Sequence, residues 1–455
     1  MSEITKNSLE RALQQLKCHF TWNLMEGEKS LDDFEDRVRN QTELQNSEFK
    51  ATACNLLAYI KHCRGQDAEA LQCLQQAEEL IQRQHAGQAE VRNLATWGNY
   101  AWVYYHLGRP QDAQKYVDKV KRVCEKLSSP YRIMCPEMSN EEGWARLKCG
   151  GSQNGRAQVC FEKALEQQPN SPESVCGLAI ATFRLHDGPP PETPTGLLRQ
   201  AIRLNPDNQY LKVLLALKLQ KTKAEEEGER LVEEALEKVP CTTAVLRSAA
   251  RFYRSKGDLD KATDLLGRAL EGTPNNAHLH FHIGSCYRAK VLQMQRENEL
   301  CGQREDLERL VRKAVHHLKI ADESNGTFSL ACSYLAGLYA QVGQYEDAEH
   351  YFQKELGKEL TPSAKQVLHL RYGNFQLYQM KCEDEAIHHY VEGVKIDQES
   401  KEKEKMKTKL HRIATARLSK DKDDSKALHL LRFLEEQNEE TPQMETLRGV
   451  WTLEA

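Results

Sequence analysis

The sequence predicts an all-α fold of stacked helical hairpins, and three observations carry that prediction. A glycine stands five residues ahead of an alanine at Gly65/Ala70, Gly108/Ala113, Gly257/Ala262 and Gly343/Ala348, each time between two stretches of helical periodicity. In three of these pairs an aromatic residue precedes the glycine by one helical turn, at Tyr104, Tyr253 and Tyr339. Downstream, Ala262, Leu266, Ala269 and Pro274 repeat the spacing of Ala157, Phe161, Ala164 and Pro169, and Ala201/Pro206 and Ala235/Pro240 repeat its last step.

Together these form the tetratricopeptide signature, with a unit of about 34 residues. Each unit is two antiparallel helices, and the glycine takes the left-handed conformation that closes the first of them. The alanines, with Ala314 among them, mark close helix crossings where a larger side chain would push neighbours apart. Proline ends the second helix. No unit buries its apolar face alone, so the units stack, and the expected fold is a tetratricopeptide-repeat superhelix, an α-solenoid with atypical helical caps. Function is expected on its concave wall.

Residues 1–50 read as an N-terminal helical cap, with Leu16, Phe20, Trp22 and Leu24 apolar and Asp32, Asp33, Glu35 and Asp36 acidic. Residues 51–127 hold a first pair of repeats, of which the second carries Trp97, Tyr100, Trp102, Tyr104 and Tyr105. After a break in period at Ser128 to Asn140, residues 138–206 hold two more units, interrupted at 186–196 where Pro189, Pro190, Pro191 and Pro194 oppose helix. That stretch is expected to be a loop or bend. Central units span 209–321 with a polar insert at 294–308, and C-terminal units span 329–396. Residues 397–455 read as a basic helical segment and a C-terminal cap; from Lys401 to Lys426 ten basic residues stand against five acidic ones.

Across 455 residues, 63 lysines and arginines face 67 aspartates and glutamates, a formal net charge of -4, so any nucleic-acid site must be a local concentration of charge. The 14 cysteines form no CxxC pair and have no finger spacing, which points to reduced, buried thiols and a cytoplasmic location. Met1 to Leu13 lacks the apolar core of a secretory signal, and the longest apolar run, Val213 to Leu219, is too short for a membrane span and contains Lys218. Walker, GxGxxG, GxSxG and HExxH patterns are absent, and adjacent His316/His317 and His388/His389 project their rings about 100° apart on a helix, poorly placed to share a metal. A binding protein is expected rather than an enzyme, with neither cofactor nor metal.

The repeat register places the first helix of each unit on the inner wall. Arg184, Arg254 and Arg288 fall late in such helices, with Arg251 one turn before Arg254. Guanidinium groups there suit phosphates, and the groove suits single-stranded RNA or an RNA end better than duplex DNA. The alternative reading of the same groove is a protein-only scaffold or adaptor that makes no contact with RNA.

Longer words of the sequence carry a resemblance. LKCHFTWNL (16–24), TWGNYAWVYYHLGR (96–109), EEGWARLKCGG (141–151), RLNPDNQYLKVLLALKL (203–219) and RSAARFYRSKGDLDKA (247–262) resemble the interferon-induced proteins with tetratricopeptide repeats. YEDAEHYFQKELGKELTP (345–362) and LRYGNFQLYQMKCEDEAIHHYVEGVKI (370–396) point to one branch of that family. The resemblance implies a cytoplasmic, interferon-inducible antiviral effector without catalytic activity that binds AU-rich RNA. Its implied RNA-binding residues here are Arg37, Arg184, Arg251, Arg254, Arg288 and Lys405. The implied partners are paralogous interferon-induced repeat proteins, a translation initiation factor complex and a second copy of the chain, exchanged as a domain-swapped homodimer. Inhibition of translation and promotion of apoptosis are implied with them.

Overall fold

The computed structural model describes residues 3–26, 31, 34, 35, 38, 50–126, 135–185, 192–220, 224–239, 241–296, 304–324, 328 and 330–450. Among them the regular structure is helical throughout, with 22 α-helices, a 3₁₀ turn at Ala86–Gln88 and a π-helical segment at Gln376–Met380. The chain divides into two compact units, Met1–Leu279 and His280–Ala455.

The first unit contains α1 (Glu3–Gln15), α2 (Lys50–Cys63), α3 (Asp67–Gln84), α4 (Ala89–Arg92), α5 (Leu94–His106), α6 (Pro110–Glu125) and α7 (Pro136–Cys149). It continues through α8 (Gln153–Gln167), α9 (Pro172–Leu185), α10 (Glu192–Leu204), α11 (Gln209–Leu219), α12 (Glu225–Lys238), α13 (Thr243–Lys256) and α14 (Leu259–Gly272). The division falls in the first turn of α15 (Ala277–Arg296). The second unit then holds α16 (Arg304–Ser324), α17 (Ala331–Gln341), α18 (Tyr345–Leu356), α19 (Pro362–Phe375), α20 (Glu383–Val394), α21 (Lys401–Leu418) and α22 (Ser425–Val450).

The signature residues do what their chemistry requires. Gly65, Gly108, Gly257 and Gly343 have φ of 73°, 69°, 94° and 80°, the left-handed turn that ends the first helix of a hairpin. Ala70, Ala113, Ala157, Ala262, Ala314 and Ala348 are wholly buried at the crossings.

The proline-rich interruption is narrower than its composition suggests. Helix α10 begins at Glu192, inside the stretch expected to be a loop, and takes Pro194 into its first turn. Proline is tolerated there because the first amides of a helix have no intrahelical acceptor to lose. Residues 186–191 lie outside the described residues. The polar insert is helical at both ends, with α15 running to Arg296 and α16 starting at Arg304; residues 297–303 also lie outside them.

One wedge sets the spacing of the inner helices in the first unit. The Phe161 ring of α8 is fully buried, edge-on to Trp144 of α7 with centroids 5.2 Å apart. A Cβ added at Gly143 would stand 2.8 Å from that ring and one at Gly177 only 2.3 Å, so both glycines are required by close approach. The ring thus replaces two side chains between α7 and α9. At the N-terminal side, Asn99 of α5 accepts from the His19 backbone amide at 3.1 Å and lies 3.1 Å from its Nδ1. Burial pushes the His19 imidazole down to about 3, so the ring is neutral and its Nδ1 can accept from the Asn99 amide.

Candidate nucleic-acid interface

Helices α7 and α9 run in the same direction. Near their N-terminal ends Ser174 Oγ donates to Asn140 Oδ1 at 2.9 Å, and at their C-terminal ends Arg184 Nη1 donates to the Leu147 carbonyl at 2.7 Å. That carbonyl is one of the last of α7, which has no intrahelical donor. Arg184 therefore caps the neighbouring helix while its charge remains at the C-terminal edge.

Three further cations gather there. Lys148, the penultimate residue of α7, is almost wholly buried, and its ammonium is pushed down to about 8, first by burial and next by the Arg184 charge. Arg247 of α13 is also depressed, by burial; Tyr210 opposes the shift, and the weaker repulsion from Arg184 and Arg251 adds to it. Lys218, late in α11, places its ammonium 4.9 Å from the centre of the Phe183 ring. Helices α7, α9 and α11 thus each contribute a cation from the last turn, and α13 adds Arg247 from its second turn. His278 is pushed down to about 4 by burial and the Arg247 charge, which keeps its ring neutral beside the cluster.

Of the six residues expected from sequence, Arg184 and Arg251 are the two whose charges both reach Arg247. Arg254 lies one turn beyond Arg251, half-buried, and is not among the charges acting on Arg247. Arg288 belongs to the second unit, half-buried against the Tyr334 ring at 4.4 Å. Lys405 is exposed on α21 and lies 3.6 Å from Glu402. Arg37 lies outside the described residues.

Sequence reasoning passed over Lys148, Lys218 and Arg247. Two signals were available: Lys148 and Arg184 occupy the same place near the ends of α7 and α9, and Arg247, Arg251 and Arg254 follow the i, i+4, i+7 spacing of one helix face.

The opposite edge of the same helices is acidic. A cavity of about 340 Å³ there is lined by Glu137, Glu141, Glu173, Arg92, His85 and Thr52 among others. Glu141 accepts from Thr52 Oγ1 at 2.6 Å and Asn55 Nδ2 at 3.0 Å, and burial raises its pKa above the usual carboxylate range. Glu173 pairs with Arg92 at 3.0 Å. Among the described residues there is no group of three or more side chains suited to hold a metal, and no helix is long and apolar enough to cross a membrane.

Comparison with known proteins places this geometry. The Tetratricopeptide repeat model matches residues 49–132, and the model of the Psidin N-terminal TPR repeats region matches residues 197–302. Interferon-induced protein with tetratricopeptide repeats 2 of Homo sapiens is 67% identical over 449 residues, covering 97% of this chain and 95% of that protein. The chain belongs to the interferon-induced proteins with tetratricopeptide repeats. Solved structures of this family include a monomeric mutant of IFIT1 with Gppp-AAAA, at a TM-score of 0.84 and 42% identity, covering 96% of this chain and 100% of that one. They also include the human IFIT1 dimer with m7Gppp-AAAA, at 0.82 and 43%, covering 94% and 96%. Proteins of this family are repeat-built binding effectors, and this member is not an enzyme.

Proposed function

We propose that this chain is an interferon-induced antiviral effector that binds RNA through the basic edge of its first unit. The observation that carries the reading is the crowding of Lys148, Arg184, Arg247 and Arg251, in which burial and like charge depress Lys148 and Arg247. Arginine stays charged at neutral pH, so this crowding favours an anion beside it, and a polyanion with spaced phosphates matches cations on successive helices. The capped RNA in the IFIT1 complexes supports RNA as that polyanion.

The finer reading is single-stranded, AU-rich or end-containing RNA, held with contributions from Arg37, Arg254, Arg288 and Lys405. Assembly with paralogues, with a translation initiation factor complex and as a repeat-exchanged homodimer, and promotion of apoptosis in the cytoplasm, complete it. Sequencing RNA crosslinked to the wild type and to an Arg184→Glu/Arg251→Glu double variant tests it. Enrichment of AU-rich RNA on the wild type alone supports the proposal, whereas equal recovery on both folded proteins removes the basic edge from it.

A protein-only scaffold has one observation of its own, the acidic cavity at the opposite edge, which offers carboxylates to a basic partner segment. Partner capture that survives both nuclease and the double charge reversal favours that reading.

A further inference from the structure

The second unit holds a cationic arrangement of a different kind. Arg288 of α15 and Arg371 of α19 both place their guanidinium carbons against the ring of Tyr334 in α17, at 4.4 and 4.7 Å from its centre. The ring is fixed from behind: it stacks on Phe281 with centroids 5.8 Å apart, and Phe281 stacks on Phe328 at 5.0 Å. Arg371 Nη1 also donates to Ser333 Oγ at 2.8 Å.

Neither guanidinium has a carboxylate within ion-pair distance among the described residues, although ion pairs are common on the helices around them. The two charges lie close enough for Arg371, after burial, to depress Arg288. Attraction to the face of an aromatic ring stabilises each guanidinium. It offsets only part of the repulsion between two cations withdrawn from water. Because arginine stays charged, the pair sets two cationic forks side by side, and guanidinium forks match phosphate oxygens in geometry.

We propose that Arg288 and Arg371, held on Tyr334, form a second phosphate site that grips the backbone of the bound RNA without reading its bases. This rests on the RNA reading above and adds Arg371 and Tyr334 to the binding residues. The ring that holds the arginines is taken up by them and by Phe281, so it offers no platform for a base. The site therefore contributes affinity and salt dependence, and leaves sequence preference unchanged.

The test is fluorescence anisotropy across a potassium chloride series, with two labelled single-stranded RNAs of equal length, one of A and U only and one of mixed sequence. Arg371→Gln weakens both RNAs by the same factor, about three- to tenfold, and lowers the slope of log affinity against log salt by about 0.7, the value for one phosphate contact on a single strand. Arg371→Lys keeps the slope. Without RNA, Arg371→Gln melts no lower than the wild type, because one of two repelling charges has gone. Wild-type affinity and slope in both Arg371→Gln and Arg288→Gln, alongside weak binding by Arg184→Glu, overturn this site and leave the RNA reading standing. If the wild type binds neither RNA, that reading falls and tripolyphosphate decides the site alone. A rise in melting temperature that Arg371→Gln abolishes and Arg184→Glu keeps supports it, and equal rises in wild type and Arg371→Gln overturn it.

Discussion

The two edges of the inner helices in the first unit carry opposite charge and treat it in opposite ways. Both follow the helix dipole, with Glu137 and Glu173 in first turns and Lys148 and Arg184 in last turns. At the acidic edge Glu141 is answered locally by Thr52 and Asn55, and Glu173 by Arg92. At the basic edge the Arg184 charge acts against both Lys148 and Arg247, while Glu141 acts in favour of the first and Tyr210 of the second. Sign alone therefore says little about function. The acidic edge ties neighbouring helices together through Glu141 and Glu173, while the basic edge crowds cations from successive helices, where our reading places the RNA.

The largest expected effect breaks this contrast directly. Arg184→Glu lowers RNA affinity about 100-fold, since reversal both removes a phosphate contact and places a repelling charge beside it. Glu173→Gln leaves RNA affinity within about twofold, because an answered charge lies outside the ligand's field. Anisotropy titrations on both variants check the pair, and comparable losses in the two would dissolve the distinction. Next comes the framework. Gly177→Val drives side-chain atoms into the Phe161 ring and destabilises the fold by about 1–3 kcal/mol, read from urea unfolding.

Acid gives a graded effect. Burial holds His19 down to about 3 and His278, His317 and His389 down to about 4, against 6.5 for a free imidazole. The unfolded chain takes up protons that the folded chain refuses, so stability is complete above the unfolded value and is lost as pH falls below it toward the folded ones. The slope approaches about 1.4 kcal/mol per pH unit for the fully buried His19 and is smaller for the less deeply buried His317 and His389, seen in urea midpoints between about pH 6.5 and 4. Arg247→Gln removes the charge that helps hold His278 neutral, and shrinks that residue's share.

The smallest effect is alkaline. Lys148 at about 8 loses its charge as pH rises, so RNA affinity falls between about pH 7 and 9, by less than tenfold in all. Lys148→Arg, which does not titrate in that range, flattens the profile.

The repeat architecture was legible because its demands are local. A left-handed turn needs glycine and a close crossing needs alanine, and Gly257 and Ala262 meet both within five residues. The basic edge was legible only in part, since it depends on which ends of distant helices coincide. Arg184 and Arg251 stood out as arginines at repeat register, whereas Lys148 looked like an ordinary lysine until α9 brought Arg184 against Leu147. Lys218 served only as an argument against a membrane span, and its position over Phe183 needed the packing of α11 on α9. Pro194 misled for the opposite reason: a residue type that opposes helix in general is harmless in a first turn.

The Phe161 wedge has a consequence for how this chain can change over generations. The ring occupies space that two other positions have given up, so Gly143, Phe161 and Gly177 are not free to vary one at a time. Enlarging either glycine is opposed while the ring is present, and shrinking the ring leaves a void between α7 and α9 that no neighbour fills. A lineage that alters this hairpin must change the three positions together, and until it does, the distance separating Lys148 from Arg184 is inherited with them.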